Sequence, residues 1–363
     1  MAEEAQTGPW SATRLTGHDW AERALLEAHA SGRLPHAWLI AGPRGIGKAT
    51  LAYRFARFLL ARGDGDGADL FGAGRGGLAV DPAAPAARLV AQRSHPDLKV
   101  VERAHDDRGR LRSEIVVPQI RELVRFFTLT SADGGWRVAI VDGAEEMNAN
   151  AANAILKTLE EPPGRSILLL VAHAAGRLLP TIRSRCRRLN LRPLDEAAVI
   201  DVLEAALPDL DGEERAALAR LAEGSPGRAV ALAQAGGLDI YRQLVDWSTR
   251  LPALPLDEVH ALGDRLNRRD ADAAYRTWID LFELWLARAV RTAGTGVAGP
   301  EAVPGEWALA ERLRAAGGLD RWVELWEKVS RLAVRADSVN LERKQVVLNA
   351  CLALASTARA ELS

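Results

Sequence analysis

The first half of the chain alternates short apolar runs with segments whose apolar residues recur at helical spacing. Runs of four or five Val, Leu, Ile and Ala residues are typical of strands buried on both faces of a sheet. Apolar residues three and four positions apart indicate helices between those strands. The predicted strands are 37–41, 98–101, 138–141 and 167–171, and the predicted helices are 48–61, 118–127 and 148–159. The alternation predicts an α/β domain with helices on both faces of a parallel sheet.

Two expectations about packing follow from the same pattern. Apolar residues of the first strand and the first of these helices are expected to share one core; they are Leu39, Leu51, Phe55 and Leu59. The segment 62–91 is instead rich in Gly, Ala, Pro and Asp, a composition that cannot bury much apolar surface. We therefore predict an exposed insertion there.

Beyond about residue 191 only helical spacing is found. Two short helices are predicted at 195–206 and 213–223, with Asp195 and Asp211 as N-caps. A third helix opens within 224–233. The loss of strand patterns predicts a boundary after an α/β domain of residues 1–192. We divide the helical remainder into a small domain, 193–238, and an all-α domain, 239–363.

The last predicted domain is helical throughout, apart from the Gly- and Pro-containing stretch 294–305. Tryptophans are concentrated in it, among them Trp247, Trp278, Trp285, Trp322 and Trp326, and they suit a helical core or a subunit interface. The final helix is expected to bury one face made of Leu341, Leu348, Cys351, Leu352 and Ala355.

Composition narrows the functional class. The chain has 363 residues, with 47 Lys+Arg against 48 Asp+Glu, so no overall positive field attracts nucleic acid. Its two cysteines, Cys186 and Cys351, form neither a disulfide framework nor a metal site, which fits a reducing compartment. No apolar stretch approaches the roughly 18 residues of a membrane span, and the N-terminus lacks the apolar core of a signal peptide. We expect a cytoplasmic protein with no membrane contact.

A degenerate nucleotide-binding loop follows the first predicted strand. Residues 42–49 read GPRGIGKA and match the phosphate-loop pattern G-x-x-x-x-G-K-S/T except at the last position. Ala49 stands where a hydroxyl would bind Mg²⁺, and Thr50 cannot replace it, because neighbouring helical positions differ by about 100° in direction. The nucleotide-binding candidates at the loop are Gly42, Gly45, Gly47, Lys48, Ala49 and Thr50. Weak, metal-poor nucleotide binding and an empty site both stay open.

The strand 138–141 leads to a second degenerate motif. Asp142 follows it and is expected to face the glycine loop. Gly143 occupies the next position and cannot act as a base or orient a water molecule. Glu145 and Glu146 are interpreted as the solvated start of a helix.

Four arginines lie within residues 183–188, at positions Arg183, Arg185, Arg187 and Arg188. For Arg187 and Arg188 the sequence favours a solvated strand edge. Arg185 lies between the small residues Ser184 and Cys186, and for this arginine a specific functional role can be proposed. A guanidinium at a subunit edge can reach a neighbour's γ-phosphate as an arginine finger acting in trans.

These motifs together resemble the bacterial clamp-loader AAA+ family, and above all its delta-prime branch. The resemblance rests on GPRGIGKATLA, IVDGAEEM, NAILKTLEEPP and the Ser-Arg-Cys triplet at 184–186, and it extends to SHPDL, GSPGRA and NLERKQVVLNACLAL. It covers essentially the whole chain. It implies an AAA+ P-loop domain, a helical lid and a C-terminal collar, in the order of the three predicted domains.

The resemblance also implies a role for individual residues. Motor subunits of the family carry Thr or Ser at the position of Ala49, Glu at Gly143 and a sensor arginine at Gly227, whereas Arg228 is adjacent and should point elsewhere. Arg185 matches the finger. The chain would then be a largely non-hydrolysing scaffold subunit of the DNA-directed DNA polymerase III holoenzyme.

The implied partners are delta and tau/gamma subunits in a hetero-pentamer, with the sliding clamp and primed DNA reached through that complex. ATP or ADP is expected to bind weakly at the chain's own site. Many relatives carry a four-cysteine zinc module after the first helix, but residues 62–93 contain no cysteine, so no zinc is expected. The alternatives are an active tau/gamma-like ATPase and an independent DNA-binding AAA+ protein. The first conflicts with Ala49 and Gly143, and the second lacks a basic recognition stripe in 239–363.

Overall fold

The structure is a computed structural model that describes residues 8–61, 77–106, 111–129, 135–268, 270–339 and 342–361, with the backbone alone for 333–339. The chain forms two compact units, Met1–Ala198 and Val199–Ser363. The further division of the second part at 238 stays a prediction. Among the described residues, no helix is both long and apolar enough to cross a membrane.

The first unit is built on a five-stranded parallel sheet with strand order β2-β3-β4-β1-β5. Its strands are β1 (Ala37–Ala41), β2 (Leu98–Val101), β3 (Arg137–Asp142), β4 (Ser166–Ala172) and β5 (Arg187–Asn190). The four predicted strands are confirmed within a residue at each end. The fifth is the basic edge predicted around Arg187 and Arg188, both of which are exposed.

Helices cover both faces of this sheet, as predicted. They are α1 (Asp19–Ala30), α2 (Lys48–Ala61), α3 (Pro85–Ala91), α4 (Val117–Thr128), α5 (Ala149–Ala154), α6 (Leu156–Glu160) and α7 (Pro180–Arg185). The single helix predicted over 148–159 is two helices, which meet at Ile155. Asn148 caps the first of them, because its side chain accepts the backbone N–H of Ala151 at 2.9 Å.

Two separate apolar clusters lie on opposite faces of the sheet. Leu51, Phe55 and Leu59 of α2 pack in one of them. Leu39 belongs to the other cluster, so the prediction of one shared core was wrong for this residue. The reason is the period of two in a strand: Trp38 and Ile40 face α2, and Leu39 faces away.

The exposed insertion predicted over 62–91 is only partly testable, because residues 62–76 lie outside the described residues. For 77–91 the prediction was wrong. Leu78, Ala87 and Val90 are buried, and α3 packs against α2. Composition misled here because two apolar side chains on one short helix, together with Leu78 before it, are enough to dock a segment that is otherwise rich in Gly, Ala and Pro.

Where it is described, the second unit is all helical. Its helices are α8 (Glu196–Ala206, which begins in the first unit), α9 (Gly212–Leu221), α10 (Pro226–Gln234), α11 (Gly237–Thr249), α12 (Leu256–Leu266), α13 (Asp272–Thr295), α14 (Ala308–Ala316), α15 (Leu319–Val339) and α16 (Arg343–Glu361). Both predicted caps are confirmed. Asp195 accepts the backbone N–H of Ala198 at 2.8 Å, and Asp211 accepts that of Glu214 at 2.7 Å.

Tryptophans fill the core of this unit. Trp247, Trp278, Trp285 and Trp322 are buried, whereas Trp326 is 38 % exposed. The buried face predicted for α16 was partly wrong, because its core side chains lie at Val346, Val347, Ala350, Cys351, Leu354, Ala355 and Ala358. Leu352 is 51 % exposed, and Leu341 lies outside the described residues.

A buried carboxylate organises the stretch between α13 and α14. One oxygen of Glu306 accepts the hydroxyl of Tyr241 at 2.6 Å and Nε of Arg288 at 2.5 Å. Its other oxygen accepts the backbone N–H of Ala302 at 2.6 Å. The side chain thus joins α11, α13 and the connecting loop, and its charge is matched by Arg288.

Candidate nucleotide site and the Arg185 edge

The glycine loop joins β1 to α2, which is the context a phosphate-binding loop requires. Gly42, Gly45 and Gly47 have φ of 148°, 81° and 98°, values that side chains disfavour. A Cβ at Gly42 would lie 2.5 Å from the carbonyl oxygen of Leu191. The glycines therefore permit both the loop's path and its close packing, and their role in binding nucleotide stays a prediction.

The loop is held from the N-terminal side of the unit. His18 is buried and its Nε2 donates to the carbonyl of Ile46 at 2.8 Å. Burial lowers the pKa of His18, so the ring is neutral near pH 7. A Cβ on Gly47 would lie 2.6 Å from Cδ1 of Leu15. These contacts could not be predicted, because the hydrophobic pattern does not show which N-terminal residues reach the glycine loop.

Lys48 folds back into the loop. Its Nζ donates to the carbonyl of Pro43 at 2.5 Å, and the residue is only 2 % exposed. Burial lowers the pKa of Lys48 to about 8, against the opposing influence of Asp142 and Glu145. The lysine thus keeps most of its charge at pH 7, and it could turn from a carbonyl to a phosphate.

Asp142 ends β3 on the same edge of the sheet. Burial raises its pKa, as does the nearby charge of Glu102, while Lys48 lowers it. The glycine backbone and Lys48 therefore suit phosphate groups. The fit to Mg²⁺ is poorer, because Ala49 contributes a methyl group where an oxygen ligand is needed. No group of three or more metal-ligating side chains occurs in the described part of the chain.

Gly143 differs from a catalytic glutamate in more than its missing side chain. Its φ is 76°, a left-handed conformation that side chains rarely adopt. A Cβ at this position would lie 2.5 Å from Oε2 of Glu146. A carboxylate could therefore be added here only with backbone strain and displacement of Glu146.

Glu145 and Glu146 do not begin a solvated helix, so that interpretation was wrong. They lie in a short 3-10 turn, Ala144–Glu146. Glu145 Oε1 accepts the backbone N–H groups of His173 at 2.7 Å and Ala174 at 3.1 Å, which joins the ends of β3 and β4. Glu146 pairs with Arg103 at 2.9 Å. Both carboxylates are already engaged in holding this edge of the sheet.

His173 is a site residue that the sequence analysis did not single out. It follows β4, and its pKa falls to about 4 because of burial and then because of the charge of Lys48. The ring is neutral at pH 7 and supplies no positive charge. A lone histidine after an apolar strand carries no motif, which explains why it was missed.

Arg185 is the last residue of α7. It is exposed, and its guanidinium is held by two acceptors: Nη1 donates to the carbonyl of Thr181 at 3.0 Å, and Nη2 donates to Oε1 of Glu160 at 2.6 Å. In the second unit, Arg228 pairs with Glu223 at 3.4 Å near the start of α10. The roles of Arg185 and Gly227 stay predictions.

Comparison with known proteins decides the family. Residues 17–195 match the family described as "DNA polymerase III, delta subunit". DNA polymerase III subunit delta' of Pseudomonas aeruginosa is 36 % identical over 234 residues, which cover 64 % of this chain and 66 % of that protein. The Escherichia coli subunit delta' is 31 % identical over 247 residues, which cover 65 % and 69 %. The chain belongs to the delta-prime family of DNA polymerase III.

The chain also matches tau and gamma subunits of DNA polymerase III. The Escherichia coli subunit tau is 30 % identical over 230 residues, which cover 62 % of this chain and 32 % of tau. The chain is therefore a clamp-loader family member with an AAA+ P-loop fold. Matched segments span about two thirds of the delta-prime relatives.

Proposed function

We propose that this chain is a largely non-hydrolysing scaffold subunit of a DNA polymerase III clamp loader. The observation that carries the proposal is the end of β3, where Gly143 has a left-handed backbone and where Glu145 and Glu146 are both engaged. ATP hydrolysis needs a group that orients or deprotonates the attacking water. Gly143 has no such group, Glu146 is paired with Arg103, and Glu145 has one oxygen bonded to two backbone N–H groups and the other oxygen buried.

The chain's own site would bind ATP or ADP weakly. The glycine backbone and Lys48 suit phosphates, but Ala49 removes a Mg²⁺ ligand, and Lys48 must leave the carbonyl of Pro43 to reach a phosphate. Bound nucleotide would then be a structural ligand. The proposed subunit would bind no zinc.

The chain would act on a neighbour's nucleotide through Arg185. This arginine is exposed at the end of α7 and keeps N–H groups available for phosphate oxygens. A guanidinium placed against a γ-phosphate stabilises the charge that develops in the transition state. Its partners would be delta and tau/gamma subunits in a hetero-pentamer, which loads the sliding clamp on primed DNA.

The test is ATP hydrolysis by the purified chain alone and by the complex reconstituted with its partner subunits. We expect no turnover by the chain alone. In the complex, Arg185→Ala should lower kcat by about 10³-fold if its site contributes most of the turnover. Arg187→Ala, which removes an exposed arginine two residues away, is the matched control and should leave kcat unchanged.

The alternative is an active tau/gamma-like ATPase, and the sequence match to subunit tau supports it. Steady turnover by the isolated chain that is abolished by Lys48→Ala would establish that alternative. If Arg185→Ala leaves the clamp-stimulated rate of the complex unchanged, the finger role is wrong, whichever subunit hydrolyses ATP.

A further inference from the structure

The guanidinium of Arg185 is held by a carboxylate from a different helix. Glu160, the last residue of α6, accepts Nη2 of Arg185 at 2.6 Å, while the Thr181 carbonyl within α7 accepts Nη1 at 3.0 Å. The side chains are 36 % and 50 % exposed, so solvent reaches the pair. The contact fixes the arginine at two points and leaves its outer side accessible.

Glu160 itself is attached to a rigid part of the unit. The preceding residue, Leu159, is buried, and its carbonyl oxygen lies 2.9 Å from Nε2 of His36. His36 directly precedes β1, and its own carbonyl accepts the backbone N–H of Leu168 in β4 at 2.7 Å. The end of α6 is thus tied to the centre of the sheet, and Glu160 cannot move far without disturbing it.

The pair leaves the arginine able to bind an anion. A guanidinium has five N–H groups in a planar fork. Glu160 and Thr181 use one N–H on each terminal nitrogen, so Nε–H and one N–H on each terminal nitrogen stay available. An unsupported arginine at a surface would lose considerable side-chain freedom when it bound a phosphate. Here part of that loss has already occurred.

We propose that Glu160 is a positioning residue, which holds Arg185 in the conformation that reaches the neighbouring subunit's γ-phosphate. The proposal rests on the finger role of Arg185 proposed above. Glu160 would contact neither the γ-phosphate nor the attacking water, and it would act through the arginine. Its effect should therefore appear in kcat of the complex and not in the KM for ATP, because a finger contact is made chiefly in the transition state.

The experiment compares four variants in the reconstituted complex: Glu160→Ala, Glu160→Gln, Arg185→Ala and the double variant Glu160→Ala/Arg185→Ala. Glu161→Ala, which removes an exposed carboxylate one residue away, is the matched control for charge. We expect Glu160→Ala to lower kcat by about three- to fivefold with KM unchanged, which is the range for an exposed ion pair. Glu160→Gln keeps an acceptor oxygen and should recover at least half of that loss.

A second measurement needs no turnover. Side-chain NMR of isotope-labelled arginine in the isolated chain should show that the Arg185 guanidinium is more mobile in Glu160→Ala than in the natural protein. The double variant should have the same kcat as Arg185→Ala, because a positioning residue has no effect once the group that it positions is gone.

The failures of the two proposals differ. If Arg185→Ala has no effect, the proposed finger role fails and the role of Glu160 fails with it. If Arg185→Ala lowers kcat but Glu160→Ala matches the Glu161→Ala control, only the positioning role is wrong. A rise of kcat in Glu160→Ala would also overturn it, since Glu160 would then restrain the arginine instead of presenting it. Equal losses of kcat in Glu160→Ala and Glu160→Gln would also contradict the positioning role.

Discussion

At the scale of single residues, the candidate site has glycines and a lysine that suit phosphate, with Ala49 and Gly143 where a hydroxyl and a carboxylate are expected to bind metal and activate water. Sequence reasoning found these positions because each lies at a fixed spacing in a motif, as with Lys48, Ala49 and Gly143. It could not find what Glu145 does, because its partners are backbone N–H groups at 173 and 174, and a sequence does not show which backbone groups a carboxylate will reach. The pair of Arg185 and Glu160 is likewise a contact between separate helices.

The buried charge of Lys48 predicts a pH dependence of stability. Its pKa falls from the ordinary 10.5 to about 8 in the folded chain. Between these pH values the unfolded chain binds the proton and the folded chain does not, so the free energy of unfolding rises as pH increases. The destabilisation is fully present below about pH 8. Relative to Lys48→Met, the natural protein should gain on the order of 1–3 kcal/mol between pH 8 and 10.5.

Urea unfolding at several pH values measures the difference in free energy of unfolding between the natural protein and Lys48→Met. The contributions of other titrating groups are the same in both proteins and cancel in this difference. Parallel stability curves for the two proteins would contradict the buried, charged lysine.

The backbone at Gly143 makes a second prediction at this scale. Gly143→Ala should lower the free energy of unfolding by about 1–3 kcal/mol, because φ of 76° strains any side chain and Cβ displaces Glu146 from its place beside Arg103. Gly164→Ala is the control: nothing lies within 4 Å of an added Cβ there. Equal stability of the two variants in urea unfolding would show that the left-handed conformation is not required.

At the scale of elements, the sequence predicted the buried strands well and the half-buried faces poorly. Strands β1, β3 and β4 are covered on both sides, so their residues are apolar except at the ends of β3 and β4, and the apolar run itself marks the strand. Burial on both sides also conceals direction, which is why Leu39 was assigned to the wrong face. In α16, small side chains such as Ala350 and Ala358 pack inward while Leu352 is exposed, so size did not mark the buried face.

The buried carboxylate of Glu306 gives a prediction for the helices that it joins. Glu306→Ala leaves Arg288 poorly compensated and should cost about 3–5 kcal/mol of stability in the second unit. Tyr241→Phe removes one hydrogen bond to the same carboxylate and should cost about 1–3 kcal/mol. Glu311→Ala, an exposed glutamate on α14, should stay within about 0.5 kcal/mol of the natural protein. Thermal unfolding monitored by tryptophan fluorescence tests this order, and a reversed order would contradict it.

At the scale of the whole molecule, the candidate site and Arg185 both belong to the first unit. The two apolar clusters of that unit draw all their described members from residues between Trp10 and Leu191. The family match ends at 195, close to the end of this unit. The sequence marked this limit by the loss of strand-like runs. Its further division at 238 had only helical patterns on both sides to rely on.

We therefore predict that residues 1–195 fold without the rest of the chain. The fragment should unfold cooperatively and keep the near-ultraviolet circular dichroism of packed aromatic residues, because its core is complete. A broad transition without near-ultraviolet signal would indicate that the sheet needs the helical unit. Fragment 1–160, which lacks β4 and β5, is the control and should not fold.

The conformation of Gly143 also bears on how the chain can evolve. At position 49, which is half-buried, the single substitution Ala49→Ser would supply the missing oxygen. At 143 the backbone lies in a region that side chains rarely adopt, and a new side chain would displace Glu146, which pairs with Arg103. A hydroxyl at position 49 therefore needs one substitution. A carboxylate at position 143 also needs a different backbone conformation in the turn, so a single substitution there would not restore ATP hydrolysis.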